Sequence, residues 1–334
     1  MKHVFFVHSH ITFLVSLGVI NKEKIAKADT VFVIYRGYNL LDNSFIWIEF
    51  NINKEYFIGK NIFKKTYEKK RLRKLLSSVI EGEFIWYLPQ TIFYFFEFLI
   101  KNSGCKGFSV IEEGMGSYYK KEVADAIINE RKSLNMGGLL KRIKNKVSYR
   151  KYVQVVDDRY LFVYGFSELS FPGYKRRKIV DVVYMLEKSI WDEITVIIVF
   201  DAILESGNAN AVTFYECLEY LILLLSKKGN SVVHYKLHPE QYINTSFSVD
   251  IKKTLHLNTY GIKFVEIPMS CSLEVLAMKG RAEFYIFCSS VGIYASHYGC
   301  NVYSLARRLS EIDDLFIRTY ALIPDSIRKL YKFI

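Results

Sequence analysis

Paired cysteines are missing from this 334-residue sequence. Its five cysteines are odd in number, widely scattered and never spaced as CxxC. Structural zinc sites and disulfide frameworks both depend on such pairs, so we expect neither. The pattern indicates a reducing compartment, and we expect the protein to be cytoplasmic.

Apolar runs suited to crossing a bilayer are also lacking. The segment at 1–20 is apolar, but it contains three histidines and no small-residue cleavage site, so a strand, loop and helix are predicted there instead of a signal peptide. The segment at 84–100 is too short for a comfortable span and contains Pro89 and Glu97. We expect neither segment to span a membrane.

Negative charge is in short supply. The chain has 34 acidic against 46 basic residues, a net charge of +12 and a pI near 9.2, which indicates an anionic partner. Basic residues concentrate at 64–76 and 325–334, with apolar residues interleaved at helical spacing. Such segments suit either a helix on a membrane surface or a solvated helix face. Aromatic–basic motifs of RRM or OB type are absent, so we expect no nucleic-acid partner.

The sequence does contain a regular alternation of apolar, β-rich runs and longer helical patterns. Strands are predicted at 3–9, 30–37, 83–88, 108–111, 160–166, 193–201, 231–239, 262–268, 283–290 and 301–306, and helices at 64–80, 90–104, 120–155, 211–229, 272–280, 291–299 and towards the C-terminus. This alternation is typical of α/β layers around parallel sheets. The Pro-, Gly- and charge-rich stretch at 171–178 is predicted to link two α/β domains, 1–172 and 173–334, whose sheets face a central cleft.

Polar residues stand at the ends of five predicted strands. Ligands of parallel sheets bind at the carboxyl ends of strands, so these residues are the candidate site. They are Glu112, Glu113 and Gly114; Asp201; Lys236, His238 and Pro239; Glu266; and Ser289 and Ser290. No GxGxxG, P-loop lysine motif or DxD-like pair accompanies them.

Adjacent carboxylates at Glu112 and Glu113 suit acid/base work. Two carboxylates close together repel, so one is expected to have a raised pKa and to be the better base near neutral pH. Gly114 lets the chain turn sharply and lets a ligand approach the backbone. The alternative is that one glutamate caps the next segment while the other is solvated.

The second half supplies groups suited to phosphate. Pro239 biases His238 towards extended geometry, which directs an imidazole that can donate a proton or stabilise a leaving phosphate. Lys236 lies on the same side of the strand and adds positive charge. Hydroxyls and backbone N–H groups at Ser289 and Ser290 can cradle a phosphate or form an ordinary N-cap. Glu266 can accept hydrogen bonds from a ribose diol or can simply be a charge at the sheet edge.

This ordered set resembles the bacterial sialyltransferases, whose families share a (D/E)(D/E)G motif, an HP motif and a paired-serine motif on a GT-B-type two-domain fold. The corresponding stretches here are IEEGMGSYY, YKLHPEQY, FVEIPMSCSLEVLAMKG and FCSSVGIYASHYG, which lie in order between residues 108 and 300. One departure is the pair EE, where many relatives have DD or DE. The longer side chain leaves the choice of base between Glu112 and Glu113 open.

The resemblance implies roles for these residues. Glu113 is the general base, His238 the general acid or phosphate stabiliser, and the donor is held by Lys236, Pro239, Glu266, Ser289 and Ser290. The implied reaction is an inverting transfer of sialic acid from CMP-sialic acid to a galactose-terminated glycan of lipopolysaccharide, O-antigen or capsule, with α-2,3 linkage and without a cofactor or divalent metal. A lipid-linked acceptor would place the enzyme on the inner face of the bacterial cytoplasmic membrane.

Two alternatives remain. A GT-B glycosyltransferase with another donor, such as another CMP-linked keto acid, fits the same residues, because they indicate nucleotide and phosphate more clearly than sugar. A non-catalytic, basic membrane- or nucleic-acid-binding protein explains the charge but not the polar residues at five strand ends.

Overall fold

A computed structural model of the chain describes residues 1–35, 38–50, 62–89, 100, 104–120, 160–182, 194–243, 245–257 and 260–334. The chain divides into two compact units, Met1–Tyr184 and Met185–Ile334. Each unit is built around its own parallel β-sheet, which gives an α/β fold with two Rossmann-type sheets.

The sheet of the first unit has seven parallel strands in the described part of the chain. They are β1 (Lys2–Val7), β2 (Thr30–Ile34), β3 (Ile46–Glu49), β4 (Phe84–Pro89), β5 (Cys105–Ile111), β6 (Val163–Gly165) and β7 (Arg177–Ile179), arranged β3-β2-β1-β4-β5-β6-β7. Strands covered on both faces are continuous apolar runs, and every residue of β2 is buried.

Two helices of this unit are described. α1 (His10–Lys22) begins at a capping box, in which Ser9 and Thr12 exchange side-chain and backbone hydrogen bonds. α2 (Ile62–Ser77) contains the basic segment at 64–76, and its Leu76 is buried in the core of the unit. Ile80, which follows the helix, is buried in the same core.

The sheet of the second unit has six parallel strands in the described part of the chain. They are β8 (Val196–Val199), β9 (Val232–Lys236), β10 (Lys263–Glu266), β11 (Glu283–Ile286), β12 (Asn301–Ser304) and β13 (Lys332–Phe333), arranged β10-β9-β8-β11-β12-β13. Its helices are α3 (Ala211–Lys227), α4 (Pro239–Ile243), α5 (Thr245–Leu257), α6 (Leu273–Ala277), α7 (Val291–His297), α8 (Ala306–Ile312), α9 (Asp314–Leu322) and α10 (Asp325–Arg328).

Both sheets reverse their strand order at one point. The chain moves outwards from β1 to β3 and then returns to place β4 on the other side of β1; the second unit repeats this with β8, β10 and β11. Loops on the two sides of such a switch point diverge and leave a crevice at the carboxyl ends of the strands, where ligands bind. The residues that follow β1 and β4 in one unit, and β8 and β11 in the other, therefore occupy favoured positions.

The predicted strands are present, with bounds shifted by a few residues, and five elements were not predicted: β3, β7, β13, α4 and α5. The predicted helices at 90–104 and 120–155 lie outside the described residues apart from Ile100, Gly104 and Lys120.

The stretch predicted as the domain linker, 171–178, belongs to the first unit. Its C-terminal end starts β7, which pairs with β6 through Val163–Arg177 and Tyr164–Lys178. Phe171 is fully buried in the core of the same unit. The division into units falls after Tyr184 and not after residue 172, because β7 completes the first sheet.

The prediction of a surface helix at 325–334 is wrong. Only Asp325–Arg328 is helical, and the chain then adds β13 to the edge of β12. Ile327 and Tyr331 are buried. The apolar residues of this tail are thus used inside the unit. In the described part of the chain, no helix combines the length and the apolar character that a membrane crossing requires.

Candidate active site

Glu112 follows β5 directly and is completely buried. Its Oε1 accepts a hydrogen bond from the Tyr118 hydroxyl at 2.5 Å, and its Oε2 accepts from the Phe166 N–H and the Ser170 hydroxyl, each at 2.7 Å. Burial and the nearby carboxylate raise the pKa of Tyr118 well above its ordinary value. Glu112 therefore ties the segment after β5 to the segment after β6, and both of its oxygens are occupied.

Glu113 has a different environment although it is the next residue. Its side chain is 19% exposed, and its Oε1 lies 3.4 Å from Nε2 of His8. Its Oε2 is buried and has no hydrogen-bond partner among the described residues. An unpaired buried acceptor costs on the order of 1–3 kcal/mol, so this oxygen is a candidate for contact with a ligand.

The turn after Glu113 fixes where this carboxylate lies. Gly114 has φ 143° and ψ −151°, a conformation that a residue with a Cβ rarely adopts. It allows a short 3₁₀ helix, Met115–Tyr118, in which the Ser117 hydroxyl accepts a hydrogen bond from the Glu113 N–H at 3.2 Å. The expected role of Gly114 in a sharp turn is thus present in the fold.

His238 lies between β9 and α4 in the second unit. Its N–H donates to the side-chain oxygen of Gln241 at 2.8 Å, and its Nδ1 accepts from the Glu240 N–H at 3.2 Å. Because Nδ1 is an acceptor here, a neutral imidazole carries its proton on Nε2. Pro239 is the first residue of α4, where its missing N–H is not needed. This end of β9 thus holds a ring nitrogen able to donate to an anion.

Asp201 connects the exits of β8 and β11. Its Oδ2 accepts from the Cys288 N–H at 2.8 Å, and its main-chain oxygen accepts from Gln241 Nε2 at 3.3 Å. Burial raises the pKa of Asp201 to about 6, against the opposing hydrogen bonds from Cys288 and Ser289. Gln241 is fully buried, and its side-chain amide hydrogen-bonds the His238 N–H and the Asp201 carbonyl oxygen. The Asp201 carboxylate in turn interacts with Ser289.

Lys236 is predicted to hold the donor, but the structure gives it other partners. Its buried ammonium donates to the carbonyl oxygens of Pro268, Met269 and Cys271 at 2.7, 3.2 and 2.6 Å. Burial lowers the pKa of Lys236. An ammonium has three protons, and all three are used here. Lys236 thus supports the loop after β10.

Glu266, predicted to hold ribose hydroxyls, is the last residue of β10. It accepts hydrogen bonds from Tyr242 at 2.9 Å and Tyr235 at 3.4 Å, and it forms an ion pair with Lys252 at 2.7 Å. Burial acts to raise its pKa, but these hydrogen bonds outweigh burial and lower it. The carboxylate links β10 to α4 and α5.

Ser289 and Ser290 lie between β11 and α7, as predicted. The Ser289 hydroxyl accepts from the Val291 N–H at 3.4 Å, whereas Ser290, at the N-cap position, makes no side-chain capping bond. Both residues are partly exposed. The pair lies on one side of the switch point between β8 and β11, with Asp201 on the other.

Sequence reasoning missed one candidate residue in each unit. His8, which follows β1 at the switch point of the first sheet, was noticed only as a polar interruption of an apolar run. Gln241, three residues after His238, was not singled out. His8 falls inside the strand predicted at 3–9, and it follows the strand only because the structure ends β1 at Val7. For Gln241 no sequence signal existed, because its role depends on the loop after β8. Among the described residues no three His, Cys, Asp or Glu side chains are close enough to hold a metal ion.

Comparisons with known proteins bear on the fold. No family model and no curated protein matches the sequence. S. aureus MnaA in its co-structure with UDP superposes with a TM-score of 0.51 at 10% identity, covering 99% of this chain and 90% of that chain. A Listeria monocytogenes protein described as a UDP-N-acetylglucosamine 2-epimerase gives 0.51 at 9% identity, covering 91% and 78%. These likenesses show a GT-B-like α/β fold with two Rossmann-type domains.

Proposed function

We propose that the protein is an inverting glycosyltransferase that moves sialic acid from CMP-sialic acid to a galactose-type hydroxyl of a bacterial surface glycan, with α-2,3 linkage. The glycan belongs to lipopolysaccharide, O-antigen or capsule. The GT-B-like fold and the ordered motifs that resemble the bacterial sialyltransferases support the proposal.

The contrast between the adjacent carboxylates carries the proposal. Glu112 accepts from three donors. The Glu113 side chain is instead partly exposed, and its buried Oε2 has no hydrogen-bond partner among the described residues. A general base needs an oxygen that is not already committed to structural hydrogen bonds. The base is therefore assigned to Glu113, and Glu112 holds the loop on which it stands.

The second unit supplies the nucleotide side of the reaction. His238 keeps its Nε2 proton because Nδ1 is an acceptor, so it can donate to a phosphate oxygen as charge develops there. Ser289 and Ser290 add hydroxyls that can bind the phosphate. Hydrogen bonds through Gln241 and Asp201 connect the loop that carries His238 to the loop that carries Ser289.

The reaction is a single displacement. The acceptor oxygen attacks the anomeric carbon of sialic acid as the bond from that carbon to the phosphate oxygen breaks. The acceptor proton goes to Glu113, and the bond's electron pair leaves with CMP, whose phosphate is stabilised by His238. One displacement inverts the anomeric carbon. CMP is already a good leaving group, so the proposed reaction requires no divalent ion.

A lipid-linked acceptor would bring the enzyme to the inner face of the cytoplasmic membrane. α2 offers exposed Lys70, Arg73 and Lys74, and such residues are attracted to anionic lipids by about 1 kcal/mol each. Peripheral attachment through this helix is part of the proposal.

A second candidate is a GT-B enzyme with another nucleotide sugar, such as another CMP-linked keto acid or a UDP-sugar. Both solved structures reported above carry UDP or a UDP-sugar in their descriptions, which favours considering uridine donors. His238 and the serine pair would serve any such phosphate.

The test is transfer from CMP-sialic acid to galactose-terminated acceptors, with EDTA present, by wild type, Glu113→Gln and His238→Ala. UDP-N-acetylglucosamine and other nucleotide sugars are tested in parallel. We expect wild-type transfer from CMP-sialic acid and losses of about 10²–10⁴-fold in both folded variants. Glu83→Gln, an exposed glutamate of the same unit, is the matched control and should retain full activity.

Transfer only from another nucleotide sugar would replace the first candidate by the second. Absence of transfer and of donor hydrolysis with every nucleotide sugar would overturn both. A requirement for a divalent ion would contradict the metal-independent mechanism.

A further inference from the structure

His8 is held in place by the turn from β1 into α1. Its N–H donates to Thr12 Oγ1 at 3.2 Å, and the same hydroxyl takes part in the capping box with Ser9. A residue anchored between a strand and a capped helix has little freedom to move. The backbone that carries this imidazole is therefore fixed before any substrate binds.

The His8 side chain faces Glu113 and is the more buried of the two. It is only 6% exposed, against 19% for Glu113, and Nε2 lies 3.4 Å from Oε1 of the carboxylate. Tyr35 packs against the ring edge-on, with ring centroids 6.4 Å apart. Of the two partners, the carboxylate is the one that meets solvent.

The partners of the two ring nitrogens of His8 indicate which nitrogen carries the proton. His8 Nδ1 is buried and has no partner among the described residues. A buried N–H without an acceptor is rarer in proteins than an acceptor without a donor, so the proton belongs on Nε2. In that state Nε2–H faces Oε1 at an N···O distance of 3.4 Å, and the buried Oε2 of Glu113 has no hydrogen-bond partner among the described residues.

We propose that His8 is the positioning residue of the candidate base, and that its Nε2–H holds the Glu113 carboxylate in the orientation that receives the acceptor proton. This inference rests on the proposed function. His8 does not touch the reacting atoms in this scheme. Its effect is on how often the carboxylate is correctly placed, and misplacement of a catalytic group by about 1 Å can cost about 100-fold in rate.

The kinetic test compares His8→Leu with His8→Gln, whose side-chain amide places a donor near the position of Nε2. We expect kcat to fall by about 100-fold in His8→Leu, with donor KM within about twofold of wild type, and to recover by at least about tenfold in His8→Gln. His3→Leu is the matched control, because His3 is a partly buried histidine of β1, the strand that precedes His8, and its ring bonds Tyr87 instead. It should keep wild-type kcat.

A double-mutant cycle excludes a merely structural role. If His8 acts through the carboxylate, His8→Leu in a Glu113→Gln background should lower kcat by less than about twofold further. Independent losses that multiply, or wild-type kcat in His8→Leu, would overturn the inference.

A second measurement does not depend on activity. Long-range ¹H–¹⁵N spectra of the full-length protein report which ring nitrogen carries the proton. We expect the Nε2–H tautomer at His8 and a changed His8 signal in Glu113→Gln. An Nδ1–H tautomer would overturn the inference even if transfer were observed. If the protein transfers no sugar at all, the proposed function fails, and these spectra still decide whether His8 holds Glu113.

Discussion

At the scale of single residues, the two glutamates after β5 show how neighbours in sequence acquire opposite roles. Successive residues leaving a strand point to opposite sides. One side here is the interior between two loops, where hydroxyls and an N–H receive Glu112. The other is the partly exposed edge at which Glu113 meets His8. The same chemical group serves structure in one case and is available for chemistry in the other.

Isosteric substitution of each glutamate separates these roles. Glu112→Gln leaves one acceptor oxygen for three donors, so we expect a loss of about 1–3 kcal/mol in stability and a lower melting temperature. Glu113→Gln should leave the melting temperature nearly unchanged and abolish transfer. Thermal unfolding and activity are measured on both. A stable, inactive Glu112→Gln beside an active Glu113→Gln would move the base to Glu112.

We expect Asp201 to make the stability of the second unit depend on pH, because burial raises its pKa. Its pKa rises from about 4 in the unfolded chain to about 6 in the folded protein. Between these values only the folded protein holds the proton, so the free energy of unfolding falls as the pH rises through this window, by about 3 kcal/mol at most. Asp201→Asn keeps an acceptor for Cys288 N–H and should flatten this dependence in denaturant titrations at pH 4 to 7. An unchanged slope would contradict the assignment.

At the scale of elements, close packing against Ser170 restricts which residue can end β6 at position 165. A Cβ on Gly165 would lie 2.9 Å from Ser170 Oγ, the hydroxyl that donates to Glu112. The strand can therefore carry only glycine at this point if the carboxylate is to keep its partners.

Gly165→Ala should accordingly displace Ser170 and destabilise the first unit by about 1–3 kcal/mol. Gly116→Ala is the control within the same unit, because a Cβ there meets nothing within 4 Å. Differential scanning calorimetry of both variants measures the effect. Equal melting temperatures would mean that the segment after β6 adapts without cost.

The C-terminal tail contributes a strand to the second sheet. Deleting residues 331–334 removes buried Tyr331 and β13. We therefore expect the free energy of unfolding to fall by at least roughly 3 kcal/mol, as is typical of losing a buried aromatic, and the melting temperature to fall with it. Binding of the folded protein to anionic vesicles should not change. Lys332→Ala, which removes a positive charge but keeps the strand, should match wild type in both assays. Loss of vesicle binding in either variant would restore the surface role.

At the scale of the whole molecule, the two units carry different parts of the proposed reaction. The candidate base and His8 belong to the first, and His238, Asp201 and the serine pair belong to the second. Each group follows a strand of a sheet with the same strand order. The two units thus share a sheet topology but carry different candidate catalytic and binding residues.

Hydrogen exchange of the full chain tests this division. CMP should slow amide exchange in the segments that follow β9 and β11 and leave the first unit unchanged, because binding stabilises the segments that contact the ligand. UMP should need at least about tenfold higher concentration for the same protection, a difference of about 1.4 kcal/mol. Equal protection by UMP would favour the second candidate function, and protection centred on the first unit would contradict the division.

The sequence by itself determined ten of the described strands and the polar residues at their ends. Short, continuous apolar runs predicted the strands of the two sheets, because strands covered on both faces are apolar at every position. It also placed Glu113, His238 and the serines at strand exits, because a strand's end is a local property.

Only the tertiary structure decided which of these groups are committed to the fold. Whether a carboxylate is saturated depends on donors far along the chain, such as Ser170 for Glu112, and Lys236 meets its three carbonyls only once the loop after β10 is in place. The pairing of His8 with Glu113 likewise spans more than a hundred residues and three strands of the sheet. Hydrogen-bond partners across such separations are set by packing, and no local pattern in the sequence encodes them.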